Sequence, residues 1–188
     1  VRIDRQFFAA PILEVAPRLL GLTLVRRSPL GDRAGIIVET EAYTANDPAC
    51  HAYRGKSRRN AAMFGPAGTA YIYFIYGMHY CFNVVTGREG SGEAVLIRAL
   101  EPVEGISLMA QARETEDIKL LCSGPARLCQ AMDITLAENG ISLLGDTIFL
   151  RRGRQPEAIV TAPRVGISRG RDLPYRFYIA GNEFVSRK

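Results

Sequence analysis

The 188-residue chain carries 24 Lys and Arg against 19 Asp and Glu, a formal net charge of +5. That length fits one domain burying about two-thirds of its unfolded surface, and the surplus charge favours a polyanionic partner without requiring one. No apolar run reaches the ~18–20 residues of a membrane span and no leader pattern is visible, so no membrane association is expected.

Lys56, Lys119 and Lys188 are the only lysines, so the basic character is nearly all arginine, the side chain suited to bidentate phosphate contact. Cys50, Cys81, Cys122 and Cys129 show no Cys-x-x-Cys spacing, and only His51 and His79 could complete a metal site. Reduced thiols are expected, with neither a metal nor a cofactor.

Apolar residues recur at helical spacing over residues 10–20, and Gly21 is a stop signal. Residues 22–26 and 34–43 read as an antiparallel hairpin around a turn at 29–32. Regular alternation places Ile37, Glu39, Glu41 and Tyr43 on one face. Two carboxylates there fit either the solvated face of an edge strand or a pocket in which one carboxylate does acid–base work. Residues 44–68 lack periodicity and carry Arg54, Lys56, Arg58 and Arg59, a basic loop that either is solvated or clamps phosphates.

Residues 69–76 and 80–85 read as a second hairpin, with Tyr76-Gly77-Met78-His79 at its tip. Tips usually take Asn, Asp and Gly. Tyr and Met there imply either a tip packed on a neighbour or a wedge pushed into a base stack, with Tyr71 and Tyr73 behind it lining a slot for a flat ligand. Residues 93–100 form a strand on which Leu96 and Arg98 share a face, and an Arg there needs an acidic or phosphate partner. Residues 103–113 read as helix. Ser123-Gly124-Pro125 caps a further helix through Met132, whose free N–H groups and Arg127 suit a phosphate or make an ordinary cap. Residues 147–150, 159–167 and 176–179 close the sheet. The expected fold is one mixed α/β (α+β) domain, residues 1–188. It is built around a curved, mainly antiparallel sheet or open barrel, with a protruding hairpin and flanking helices.

Four blocks, in order, carry a resemblance: Val38-Glu39-Thr40-Glu41-Ala42-Tyr43, Tyr71-Ile72-Tyr73-Phe74-Ile75-Tyr76-Gly77-Met78, Leu96-Ile97-Arg98-Ala99-Leu100-Glu101-Pro102 and Leu121-Cys122-Ser123-Gly124-Pro125. Over roughly residues 4–186 the chain resembles the alkyladenine (3-methyladenine) DNA glycosylases. The resemblance implies that Glu41 is the general base deprotonating a water for attack at C1′ of a flipped nucleotide, and that Arg98 helps hold that water. It makes Tyr43 one wall of the base slot and His51 with Tyr73 the other. Tyr76, with Met78 beside it, fills the gap left by the flipped nucleotide. Asn83 faces the minor-groove edge of the base, and Tyr71 and Leu96 also line the pocket.

The chemistry agrees. A base must leave the stack to be acted on and is gripped by its faces. Breaking an N-glycosidic bond builds positive charge on the sugar, which a carboxylate stabilises. A base alkylated at N3 or N7 is already a cationic leaving group. No lysine falls in the four blocks, so no Schiff-base strand cleavage is expected. The implied partner is double-stranded DNA with a damaged purine, bound by a monomer, with Arg54, Arg58, Arg59 and Arg127 on phosphates. The implied location is the cytoplasm, on the nucleoid, for a bacterial source and the nucleus for a eukaryotic one.

Some features depart from the family. The stretch from Tyr43 to His51 is one residue shorter than in some members, His79 stands where an aromatic is common, and residues 114–120 read as a short mobile connection. A non-catalytic damage-binding module and a small-molecule nucleoside or carbohydrate hydrolase are the alternatives. Glu41 argues against the first and Tyr76 against the second.

Overall fold

Strand β2 (Arg33–Tyr43) is the axis of the fold. Along one side it pairs with β5 (Ala94–Glu104). Along the other, its first residues take β1 (Thr23–Arg26) and residues 39–41 take β8 (Arg176–Ile179). The sheet continues from β5 through β4 (His79–Val85) to β3 (Ala70–Ile75), and from β1 to β6 (Ile148–Arg151), while β7 (Ile159–Ala162) pairs with β8. Each of these pairings is antiparallel. This computed structural model describes residues 1–187.

Of three register shifts in the β2–β5 pair, two are adjacent, opposed bulges. Ile37 faces Leu100 and Glu39 faces Ala99, which leaves Val38 as an extra residue on β2. Thr40 then faces Ile97, which leaves Arg98 as an extra residue on β5. Bulges increase local twist and re-aim side chains, so the sheet curls into a half-barrel where Arg98 turns toward the carboxylates of β2.

Helices pack against the sheet. After α1 (Arg5–Ala9), α2 (Ile12–Arg18) buries Ile12, Val15 and Ala16 against β2, and Thr40 Oγ1 donates to the Ala16 carbonyl at 2.9 Å. Gly21 ends this segment at φ 83°, and a Cβ there would lie 2.0 Å from the Arg154 carbonyl oxygen. Of α3 (Ile106–Arg113), α4 (Ile118–Leu121) and α5 (Pro125–Met132), the last covers β4 and β5 with Leu128, Cys129, Ala131 and Met132. Each large apolar side chain buried this way contributes about 1.5–3 kcal/mol. All four cysteines are free and buried. No helix among the described residues is long and apolar enough to cross a membrane.

Three expectations change. Pairing of β2 with β5 extends to Ala34 and Glu104, so Val103 is strand, and left-handed Gly105 turns the chain before α3 begins at Ile106. Residues 114–120 are not a plain connection but run into α4, which Asp117 caps by accepting from the Lys119 N–H at 3.0 Å, while Arg113 donates to the Leu121 carbonyl. Finally, β7 stops at Ala162, because Pro163 has no N–H to continue the ladder, and the chain leaves the sheet as a strap.

Candidate active site

Alternation along β3 puts Tyr71, Tyr73 and Ile75 on one face, opposite Asn83, Cys81 and His79 of β4. All of them line a cavity of about 340 Å³, together with Tyr43, His51, Leu96, Arg98 and residues 165–167. That is near the small end of ligand pockets, of a size for one flat ring system. The register explains the convergence. Tyr71 faces Asn83, Asn83 faces Leu96, Leu96 faces Glu41 and Glu41 faces Arg176, one row across five strands.

Aromatic rings dominate the walls. His51 meets Tyr73 edge-on with centroids 4.5 Å apart, and its Nδ1 lies 2.8 Å from the Tyr71 hydroxyl. His51 keeps one side open to solvent, yet burial against its neighbours and the Arg59 guanidinium hold its pKa below the usual value. Burial pushes the Tyr71 phenol up to about 12, and Tyr73 and Tyr43 higher, Tyr43 also because Glu41 lies beside it. These phenols therefore stay neutral across the working pH range. Asn83 Nδ2 donates to the Tyr71 carbonyl at 3.0 Å, leaving its side-chain oxygen as the acceptor at this wall.

Glu39 and Glu41 are fully buried, which overturns the solvated-edge reading: β2 is a central strand, flanked on both sides. Glu41 sits just behind the cavity wall. Its Oε2 accepts from the Tyr43 hydroxyl at 2.8 Å, its Oε1 accepts from the Val165 N–H at 2.7 Å, and Arg98 Nη1 lies 3.4 Å from the same Oε1. Tyr43, Val165 and Arg98 all line the cavity, so each group that touches the carboxylate also faces the pocket. Arg164 secures the strap that carries Val165. It pairs with buried Asp47, donates to the Ala42 carbonyl at 2.9 Å and lies over the Tyr43 ring, 4.6 Å from its centroid. In this cluster the buried carboxylates of Glu39, Glu41 and Asp47 are thus matched by the buried guanidinium groups of Arg98, Arg164 and Arg176.

The hairpin tip stands out into solvent at the rim of the cavity: Tyr76 is 82% exposed and Met78 68%. Tyr76 at φ 55° and Gly77 at φ 68°, with the Met78 N–H on the Ile75 carbonyl at 3.3 Å, form a tight turn with both central residues left-handed. For a tyrosine that conformation costs about 1–2 kcal/mol. Among the basic candidates, Arg59 braces the hairpin by donating to the Phe74 carbonyl at 3.1 Å, and Arg127 donates to Ser123 Oγ while staying exposed. Arg54 and Arg58 are exposed, with no side-chain bond among the described residues. Gly124 supplies no side-chain cap to α5, whose Pro125 and Ala126 line the cavity.

Sequence reasoning missed Asp47, Arg164, Val165, Arg176 and Ser186. The available signal was arginine inside apolar segments, at Arg164 and Arg176, where burial demands a carboxylate. Among the described residues, no cluster of three metal-ligating side chains exists, and no lysine lines the cavity.

Residues 6–183 match the methylpurine-DNA glycosylase family. A protein of Carboxydothermus hydrogenoformans, provisionally named 3-methyladenine DNA glycosylase, is 54% identical over 189 residues, covering 99% of each chain. Proteins with the same provisional name from Methanoculleus marisnigri and Francisella tularensis are 52% and 51% identical, covering 97% and 94% of each chain. The chain belongs to the methylpurine-DNA glycosylase family.

Proposed function

We propose that this glycosylase, a hydrolase of N-glycosyl bonds in damaged DNA, acts as a monomer on duplex DNA. It flips an alkylated purine, 3-methyladenine or 7-methylguanine, into the aromatic slot and releases it by water attack, without cutting the strand. Hypoxanthine and ethenoadenine are further substrates. The supporting observation is one carboxylate, Glu41, buried behind a slot of neutral aromatic rings beside an exposed tyrosine at a hairpin tip.

Tyr76 takes the place of the extruded nucleotide, so the cost of unstacking is partly offset by a new aromatic contact. The base lies between Tyr43 on one side and His51 with Tyr73 on the other, and electron-rich ring faces favour a cationic alkylpurine. The attacking water reaches Glu41 at the seam between Tyr43, Arg98 and Val165. Glu41 takes its proton and its charge offsets the oxocarbenium character at C1′. A cationic base leaves as a neutral purine without protonation, so one carboxylate suffices for it, whereas neutral hypoxanthine or ethenoadenine takes a proton from solvent as it departs. The absence of lysine from the cavity wall supports hydrolysis over Schiff-base chemistry. The bacterial and archaeal sources of the relatives favour the cytoplasmic, nucleoid-bound location.

The test is single-turnover base release from duplexes carrying one N7-methylguanine, hypoxanthine or ethenoadenine. Glu41→Gln keeps the shape and removes the base, so release slows by about 10²–10⁴-fold while binding to the lesion duplex persists. Unchanged release by a folded Glu41→Gln protein rules the mechanism out, and the order of the lesions sets the substrate range.

A further inference from the structure

The mechanism above leaves the fully buried carboxylate of Glu39 unused. Glu39 Oε1 accepts from Arg98 Nε at 3.1 Å and from Arg176 Nη1 at 3.0 Å, and its Oε2 accepts from the Ser186 N–H at 2.7 Å. Arg98 is therefore a shared cation. Its Nε faces Glu39, its Nη1 faces Glu41, and its Nη2 donates to Ser186 Oγ at 3.3 Å. The end of the chain is tied to the same point. Val185 packs on Val38 and Ala99, and Arg176 Nη1 also donates to the Arg187 carbonyl at 2.9 Å.

We propose that Glu39 and Ser186 form a latch that fixes Arg98 beside Glu41, which makes Glu39 a positioning residue for base release and the C-terminal segment a part of the active site. The proposal rests on the glycosylase mechanism above and adds residues to it.

Three features argue for this role over simple structural filler. Arg98 is the extra residue of a bulge, so the backbone ladder alone does not fix its direction, and side-chain partners must. Its guanidinium is divided between two carboxylates, so the charge that Glu41 meets depends on how firmly Glu39 holds the other edge. With Glu39 neutral, Arg98 and Arg176 bring two positive charges to a site where positive charge must develop on the sugar, and Glu41 alone opposes them. Burying carboxylate and guanidinium groups is costly, and an apolar pair would fill the space at lower cost. The placement of this group against Arg98 is what such a pair could not supply.

The experiment measures the single-turnover rate constant at saturating enzyme and the half-saturating enzyme concentration, on a hypoxanthine duplex and an N7-methylguanine duplex. Proteins are wild type, Glu39→Gln, Glu39→Asp and Ser186→Ala, with affinity for a duplex carrying a tetrahydrofuran abasic analogue as control. The latch predicts that Glu39→Gln lowers the maximal rate constant at least tenfold, with half-saturation and analogue binding within twofold of wild type. Ser186→Ala lowers the rate constant several-fold with an unchanged melting temperature, and Glu39→Asp recovers a measurable part of the Glu39→Gln loss. A maximal rate constant unchanged in Ser186→Ala and in a folded Glu39→Gln overturns the proposal, as does a loss that follows binding or folded fraction alone. Where Glu39→Gln does not fold, Ser186→Ala decides by itself. Failure of wild type to release either base would overturn the glycosylase mechanism instead, which keeps the two readings separable.

Discussion

At the scale of single residues, the pocket keeps its aromatic groups neutral and its buried ions paired. His51 shows this in a measurable way. Burial and the Arg59 guanidinium both disfavour the imidazolium, so the folded pKa lies below the unfolded value of about 6.5. A group with a lowered histidine pKa leaves the unfolded chain binding more protons in that window, so stability rises with pH there. The contribution is fully present above about pH 6.5 and is lost as the pH falls through the lowered folded value. The melting temperature of wild type should therefore fall more between about pH 7.5 and about pH 5.5 than that of His51→Gln, in which this titration is absent. Equal falls in the two proteins would show that His51 is not held neutral. On the proposed reading, the same neutrality suits His51 as a wall for a cationic base, since an imidazolium there would repel it.

At the scale of elements, the hairpin of β3 and β4 trades stability for reach. Tyr76 sits in the left-handed region and is mostly exposed, so little burial offsets the cost of its conformation. Replacing Tyr76 with Gly should raise thermal stability, by up to about 1 kcal/mol, because glycine adopts this φ without strain but gains freedom in the unfolded chain. The same change should weaken binding to a lesion duplex and slow base release at subsaturating enzyme, which a melting curve and a single-turnover series read together. A Tyr76→Gly protein that is less stable, or as active as wild type, would refute the trade. This hairpin was legible in the sequence because its information is local: period-two alternation on both arms, with Tyr-Gly between them. The carboxylate row was only half legible. Alternation placed Glu39 and Glu41 on one face, but burial came from pairing with β5 and β8, elements more than fifty residues away. No local pattern distinguishes a central strand from an edge. The bulges at Val38 and Arg98 were hidden for the same reason, since an extra residue is visible only against its partner strand. The partners of Glu41 and Glu39 at Val165, Arg176 and Ser186 lie 124, 137 and 147 residues from the carboxylates they bond, beyond any motif window.

At the scale of the whole molecule, the interior ion cluster around the slot is charge-balanced, so the surplus of +5 is carried outside it. That division has consequences for DNA binding. An outer guanidinium that meets a phosphate releases counterions, and each such contact adds about 0.9 to the slope of log affinity against log salt. Arg54 and Arg58 are exposed and, among the described residues, bond to no side chain or carbonyl, so their removal should leave the fold intact. Arg59 differs, since it also braces the hairpin through the Phe74 carbonyl, and its loss should affect base release as well as binding. The double substitution Arg54→Ala with Arg58→Ala should therefore weaken binding to damaged and undamaged duplexes by a similar factor. It should reduce the salt slope by about 1–2 and leave the maximal single-turnover rate constant unchanged. Binding titrations at several salt concentrations measure the slope directly. An unaltered slope would place the phosphate contacts elsewhere on the surface, with Arg127 at the open end of α5 the next group to test. A slope that falls together with the maximal rate constant would instead mean that the basic loop helps seat the flipped nucleotide, coupling backbone grip to the chemistry at Glu41.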